Sequence, residues 1–345
     1  MKSFFFYFSL VALTASGLSA QETSSQDNSP SNGKQPATAS SKELPAGIDE
    51  DRKKWTRVQI YLDDADFNPG KIDGRWGEFT GKALTRYMKS QGKTERTFGE
   101  EPPQETGLDL DESKPVFETY TVTEEDVELI GQMADEPKQL AEQSTLPYTS
   151  VHELVAEKYH VDKEFLRELN PDLEKMEAGD KVIVPAIAVP FELSAVRKSK
   201  ENGQKNSEAP ESIQIVISTQ EEMLEVLEND KLIACYPVTP GAKDNPAPEG
   251  DWEVTSVSWM PTFRWDKSML EEGKRSDDAH VLPSGPNSPV GIVWMALNSK
   301  GIGMHGTKAP DTIGRTSSHG CIRLSNWDAY DLGQMVDSGT SVKIQ

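Results

Sequence analysis

Cysteine is scarce: two residues in a chain of 345 exclude a disulfide-built scaffold. Basic residues are outnumbered by acidic ones, 36 Lys+Arg against 57 Asp+Glu. The net charge of −21 argues against a polyanion partner, so no nucleic acid is expected. No apolar run reaches the ~20 residues that a bilayer-spanning helix needs, leaving only the N-terminal stretch as a membrane-directed element. Histidine is also rare, with five in the whole chain, so two of them close to a cysteine carry information. At roughly 100–200 residues per domain, the length points to two or three domains rather than one core.

Lys2 followed by Phe4 through Leu13 and the small residues Ala15 to Ala20 has the layout of a secretory signal peptide, residues 1–20, with cleavage near Ala20. No integral membrane span is expected after cleavage. Residues 21–53, rich in Ser, Gln, Asn, Pro and Lys without apolar period, read as a disordered tether. In a chain bound for an oxidising compartment two cysteines would be expected to pair, yet their settings differ. Cys235 lies in the strand-like run Lys231 to Val238, where a small apolar side chain packs; Cys321 lies among Ser, His and Gly and reads as a reactive thiol.

Order is expected from Trp55. Trp55, Val58 and Leu62 recur at helical spacing. Pro69-Gly70, Asp73-Gly74 and Trp76-Gly77 make turns, and Phe79, Ala83, Leu84, Tyr87 and Met88 resume a helical face. The run from Val58 to Leu62 and on through Phe67-Asn68-Pro69-Gly70-Lys71-Ile72-Asp73-Gly74-Arg75-Trp76-Gly77 resembles the small helical peptidoglycan-binding domain of bacterial wall enzymes, over residues 54–92. Thirteen acidic residues and two lysines between Glu101 and Gln143 read as a solvated charge run, with residues 93–117 as an acidic linker. Tyr120-Thr121-Val122 reads as a strand, Val151, Leu154 and Val155 as one helix, and Asp162 as the N-cap of a second. Val182 to Pro185 closes the unit as a strand. This strand–helix–helix–strand order, with Leu169-Asn170-Pro171 and Ala178-Gly179-Asp180, is similar to a LysM glycan-binding module over 118–188. Residues 189–211 read as a linker.

The chain then changes character. Ile213, Ile215 and Ile217 alternate with polar residues. Met223 to Leu227, Leu232 to Tyr236, Trp252 to Val257, Gly291 to Leu297 and Ser341 to Ile344 add strands, and only Trp327 to Val336 reads as helix. The unit 212–345 is therefore mainly β. Its long loops, 261–290 among them, are of the kind that cover sites.

The chemistry concentrates in Gly303-Met304-His305-Gly306-Thr307 and Ser317-Ser318-His319-Gly320-Cys321-Ile322-Arg323. A thiol nucleophile needs a neighbouring base, and imidazole supplies one. Gly320 lets backbone approach a substrate carbonyl, so the Gly320 and Cys321 amides are oxyanion donors. In an extended segment His319 and Cys321 share a face about 6–7 Å apart and touch only at their tips. His305 arrives from another strand, able to present its ring side-on with a carbonyl such as that of Gly306 fixing its second nitrogen, and is the expected base. His319 then lines the site. Two blander readings stand beside this one: His305, His319 and Cys321 as zinc ligands, or hydrogen-bonded histidines beside an inert thiol. Arg323 serves equally as carboxylate binder or loop brace.

The segments Gly285 to Gly291 with Trp294, His305-Gly306-Thr307, Pro310 to Gly314 and Ser318-His319-Gly320-Cys321-Ile322-Arg323-Leu324 resemble the catalytic domain of bacterial L,D-transpeptidases, over about 212–345. The resemblance implies a multidomain chain: a mainly β L,D-transpeptidase-type catalytic domain preceded by a small α-helical peptidoglycan-binding-like domain and an α+β LysM-like module. It implies Cys321 as nucleophile, His305 as base, Gly306 as its orienting carbonyl, and Ser318, His319, Gly320 and Arg323 as lining residues. No metal or organic cofactor is implied. The implied partners are peptidoglycan stem peptides and glycan strands, and the implied place is the periplasm or cell wall. The implied reaction is release of terminal D-Ala and transfer of the acyl group to an amine. Hydrolysis at the same site, as an L,D-carboxypeptidase, and a non-catalytic wall-binding scaffold are the alternatives.

Overall fold

The computed structural model describes residues 48–94, 96–171, 175–201, 212–242, 245–268, 273–315 and 320–345. The expected signal peptide, and the tether up to residue 47, lie outside them. Helix α1, Glu50–Asp63, begins earlier than the apolar pattern suggests because Asp49 caps it, accepting the Arg52 N–H at 2.8 Å. A turn-rich loop leads to α2, Glu78–Ser90. Gln59 ties the loop down: its carbonyl accepts from the N–H groups of Asp73 and Gly74, while its amide donates to Asp73 and the Arg75 carbonyl. Val58, Leu62, Ala83, Leu84 and Met88 are buried between the two helices, and Phe98 joins them. Residues 93–117 are thus not a free linker throughout. Phe98 and Val116 are buried, and Leu108 and Leu110 pack on the helical cluster.

Strand β1, Phe117–Thr121, pairs antiparallel with β2, Lys181–Pro185, Thr119 facing Ile183. Between them run four helices: α3, Glu124–Glu128; α4, Pro137–Glu142; α5, Val151–Lys158; and α6, Lys163–Leu169. Part of the acidic stretch is therefore structured rather than a solvated run. Thr123 and Asp126 form a reciprocal capping box at α3, and the acidic first turn suits a helix N-terminus. Asp162 caps α6 through the Glu164 and Phe165 N–H groups. Asn170 ends α6, its side chain bonding both the N–H and the carbonyl of Ile183. Residues 189–211, expected as a linker, contain helix α7, Leu193–Glu201; burial of Leu193 and Val196 against the β unit holds it.

The C-terminal unit contributes β3, Ile213–Ser218; β4, Met223–Glu228; β5, Lys231–Pro237; β6, Thr239–Ala242; β7, Asn245–Pro246; and β8, Gly250–Trp259. Then follow β9, Phe263–Trp265; β10, His280–Leu282; β11, Val293–Leu297; β12, Gly303–His305; β13, Ile322–Arg323; helix α8, Asn326–Met335; and β14, Ser341–Ile344. A ten-stranded sheet runs in the order β5-β4-β3-β14-β8-β11-β12-β13-β6-β7, and β9 and β10 pair separately. The β3–β14 and β12–β13 pairs are parallel. Ile213, Ile215 and Ile217 are buried in alternation, as a strand covered on one face requires. Trp327 and Leu332 of α8 are fully buried in the same core as Val293, Met295 and Met304.

The described residues belong to one compact unit, residues 44–345. Main-chain bonds stitch its parts together. The segment Asp66–Asn68 covers edge strand β5, the Cys235 N–H donating to the Asp66 carbonyl and the Asn68 N–H to the Cys235 carbonyl, both at 2.9 Å. Ile72 bonds His160 and Asp162 in the same way, at 2.7 and 2.9 Å. An exposed sheet edge is thereby closed by the helical unit.

Candidate active site

Strand β12 lies between β11, to which it is antiparallel, and β13, to which it is parallel. Met304 faces Ile322, and His305 faces Arg323. Residues in register project to the same side of a sheet and neighbours along a strand to opposite sides. Met304 and Ile322 are fully buried on the core side. His305 and Arg323 occupy the other side, and continuing the alternation brings Cys321 up on it beside Gly303. The Cys321 thiol is partly exposed, donating to the Gly301 carbonyl at 3.5 Å. Sulfur 321 and imidazole 305 are therefore carried on one face by adjacent strands.

Local structure fixes the imidazole. His305 is buried, and the Trp294 ring stacks on it with centroids 5.3 Å apart and planes inclined by 18°. Its Nδ1–H donates to the Gly306 carbonyl at 2.7 Å, which leaves Nε2 as the lone-pair nitrogen. Burial pushes the imidazole pKa down to about 4, the Gly306 bond opposing and the Arg323 charge adding to the fall. Burial also pushes the Cys321 thiol up, while a bond from the Gly303 backbone draws it back. Both shifts favour the neutral forms, thiol and imidazole, which suits removal of a proton as the sulfur attacks.

Gly320 has φ of +88°, a left-handed conformation that side chains with a Cβ disfavour, and it turns the chain immediately before Cys321. Arg323 is partly exposed, and burial lowers its pKa. Ser318 and His319, expected in the site, lie outside the described residues, and with His319 one of the three residues weighed as zinc ligands. Cys235 is far from this chemistry in character: it is fully buried in the cluster of Leu62, Phe67 and Leu84, and burial drives its thiol pKa strongly up.

Two contributions were not assigned from the sequence. Trp294, named there only as part of a matching segment, supplies the stacking face from β11, opposite His305. Asn326 is the other. Its Oδ1 packs so closely on Gly306 and Gly291 that a Cβ on either glycine would come within 2.4 and 2.2 Å of it. A buried Asn directly after a capping Ser was the available signal there.

The YkuD family, the L,D-transpeptidase catalytic domain, matches residues 212–344. A Bacillus licheniformis protein named as an L,D-transpeptidase, YkuD, is 26% identical over 194 residues, covering 56% of this chain and 92% of its own length. Bacillus subtilis YqjB, named likewise, is 30% identical over 135 residues, covering 38% of this chain and 69% of its own. L,D-transpeptidase 3 of Mycobacterium tuberculosis, solved with a faropenem-derived adduct, has a TM-score of 0.32 at 22% identity. The match covers 39% of this chain and 60% of that one.

Proposed function

Because this chain belongs to the L,D-transpeptidase family of enzymes, we propose that it acts on peptidoglycan stem peptides with Cys321 as nucleophile and His305 as general base. As sulfur attacks the carbonyl between the third stem residue and the terminal D-Ala, the thiol proton passes to His305 Nε2. The N–H groups of Gly320 and Cys321 receive the oxyanion. The C–N bond breaks, D-Ala leaves with the proton from His305, and a thioester remains on Cys321. An acceptor amine attacks the thioester, gives its proton to His305 and restores the thiol, so the products are a cross-link or a protein attachment and free D-Ala. Arg323 lines the site and Gly306 orients the base, while the lining role of Ser318 and His319, outside the described residues, rests on the sequence resemblance alone. The proposed chemistry runs on the protein's own side chains and backbone groups, with no cofactor. The observation that carries this reading is the His305 imidazole, held by Gly306 with Nε2 unprotonated on the strand beside Cys321.

The remaining proposals concern where the enzyme works. An extracytoplasmic location, reached by the N-terminal signal segment, follows from the substrate; among the described residues no helix is long and apolar enough to cross a membrane. The helical and LysM-like units would hold the enzyme on glycan strands, raising local substrate concentration. A groove of about 960 Å³ lined by Val127, Ile130, His152, Arg167, Asn170 and Met176 supports that role, offering apolar faces and polar donors to a sugar.

Incubating the protein with a disaccharide-tetrapeptide and weighing the products tests the reaction. Cross-linked dimers with free D-Ala are expected. Tripeptide alone would make it a hydrolase, and no product would leave a binding scaffold.

A further inference from the structure

Helix α5 carries a carboxylate where its pattern calls for an apolar side chain. Glu157 is buried among Leu154, Val155, Ala156 and Tyr159, with 7% of its surface exposed. Its Oε1 accepts the Tyr148 hydroxyl at 2.6 Å, and both its oxygens accept from Asn326 Nδ2, at 3.2 and 3.0 Å. Asn326, the first residue of α8, is completely buried. Its Nδ2 also donates to the Pro286 carbonyl at 3.2 Å, and its Oδ1 accepts the Ile292 N–H at 3.3 Å. This set of partners fixes the amide orientation: turning it over would place its oxygen against the carboxylate. The oxygen therefore rests against Gly306 and Gly291, and the Gly306 carbonyl is the group that holds His305 Nδ1–H.

We propose that Glu157 is a positioning residue of the active site, acting through Asn326 and Gly306 to keep the His305 imidazole turned with Nε2 towards Cys321. The inference rests on the reading of Cys321 and His305 as nucleophile and base. It makes α5, from the LysM-like unit, part of the catalytic apparatus rather than only a tether to the wall. Physical cost supports it. Burial pushes the Glu157 carboxyl up to about 7, against the pull of Tyr148 and Asn326, with Glu153 raising it further and Lys163 lowering it. A hydrophobic residue would pack in the same space without that penalty, but it would take away the Oε1 acceptor that Asn326 Nδ2 and the Tyr148 hydroxyl share. Neighbouring contacts keep α5 in place: Asn287 Nδ2 donates to the Pro147 carbonyl at 2.7 Å and to Glu153 Oε2 at 3.3 Å, and the Leu146 N–H donates to the Ser284 carbonyl at 3.0 Å.

The test compares the full chain with Glu157→Ala, Glu157→Gln and Tyr148→Phe. One readout needs no substrate: the rate of Cys321 alkylation by iodoacetamide against pH, located by peptide mapping. The other is kcat and KM on disaccharide-tetrapeptide, measured well below each thermal midpoint. Glu157→Ala is expected to lower kcat tenfold or more with KM within twofold, and to displace the alkylation profile. Glu157→Gln, which keeps one acceptor, should recover kcat to within about threefold of the parent. Tyr148→Phe should move the profile in the same direction by less, and it decides the matter if Glu157→Ala does not fold. Alkylation profiles and kcat within twofold of the parent overturn the proposal. Failure of the parent to process the tetrapeptide would instead sink the reaction proposed above, with the alkylation profiles still deciding whether Glu157 positions His305.

Discussion

His305 and Arg323 stand directly opposite one another in the parallel β12–β13 pair. That register brings Cys321 onto the same side of the sheet as the imidazole and sets a positive charge near a proposed base that burial already keeps neutral. The ring has its Nδ1–H committed to Gly306, so the proton must go to Nε2.

The first prediction concerns pH. With the imidazole pKa pushed down to about 4, the base stays unprotonated well below the ordinary histidine range near 6.5. The acid limb of kcat/KM should therefore fall near pH 4, with activity sustained at pH 5.5. A limb near 6.5 in a pH–rate profile would mean that His305 is solvated and not the buried base described.

The second concerns the two thiols. Cys235, on β5, is fully buried against the helical unit, while Cys321 is partly exposed. A carbapenem should add one equivalent by intact mass, mapped to Cys321, and Cys321→Ser should take up none. Cys321→Ser should also lower tetrapeptide turnover at least a hundredfold, because a hydroxyl loses its proton far less readily than a thiol. Equal labelling of Cys235 would contradict the burial.

Much of this was legible in the residue order, for physical reasons. Ile213, Ile215 and Ile217 alternate because a sheet face is buried, and alternation is visible locally. The Ser-His-Gly-Cys run stands out because nucleophilic sites demand rare residue types close together. What stayed hidden depends on long-range placement. Glu157 lies 169 residues before Asn326, and no local pattern links them. Phe98, Leu108, Leu110 and Val116 sit in an acidic stretch whose charge suggests solvent, yet these apolar side chains find surfaces to pack on in the folded chain. The covering of β5 by Asp66–Asn68 is equally non-local, since backbone bonds carry no side-chain signature.

A third prediction follows from close approach. Gly291 has φ of +60°, and a Cβ there would lie 2.2 Å from Asn326 Oδ1 and 2.5 Å from the Gly306 carbonyl carbon. Gly291→Ala forces that node apart, at a cost of about 2–4 kcal/mol from strain and displaced packing. Urea unfolding should register the loss. A variant as stable as the parent would show that the node is loose.

A fourth uses a buried acid. Burial pushes the Asp328 carboxyl up to about 8, a bond from Ser325 opposing, His160 lowering it, and Asp331 and Asp63 raising it. The unfolded group titrates near 3.9, so the unfolded state binds fewer protons between about pH 4 and 8 and this group's contribution to stability declines as pH rises through that window. Asp328→Asn removes the decline. The fall in melting temperature from pH 5 to pH 8 should be smaller in the variant than in the parent, although Glu157 and Asp331, raised to about 7, keep part of it. An equal or steeper fall would show that Asp328 is not protonated in the folded state.

The last prediction tests whether the joint between units matters to the chemistry. Lys71, in the loop of the helical unit, reaches both Asp162, the cap of α6, and Asp311, in the loop between His305 and Cys321. Burial alone would lower its pKa, yet bonds to the two carboxylates raise it. Nearby, a Cβ at Gly314 would lie 2.3 Å from the Phe79 ring, so the same loop is also pressed against α2. Lys71→Met leaves the partly buried Asp162 and the exposed Asp311 without their cation, which costs about 1 kcal/mol. Asp162 retains its α6 cap through the Glu164 and Phe165 N–H groups, so the helix should survive and the damage should fall on the Asp311 loop. Turnover measured 15 °C or more below the melting point should therefore drop severalfold in Lys71→Met while circular dichroism stays unchanged. Turnover equal to the parent would mean that the loop reaches its place without the Lys71 contact, which then serves stability alone.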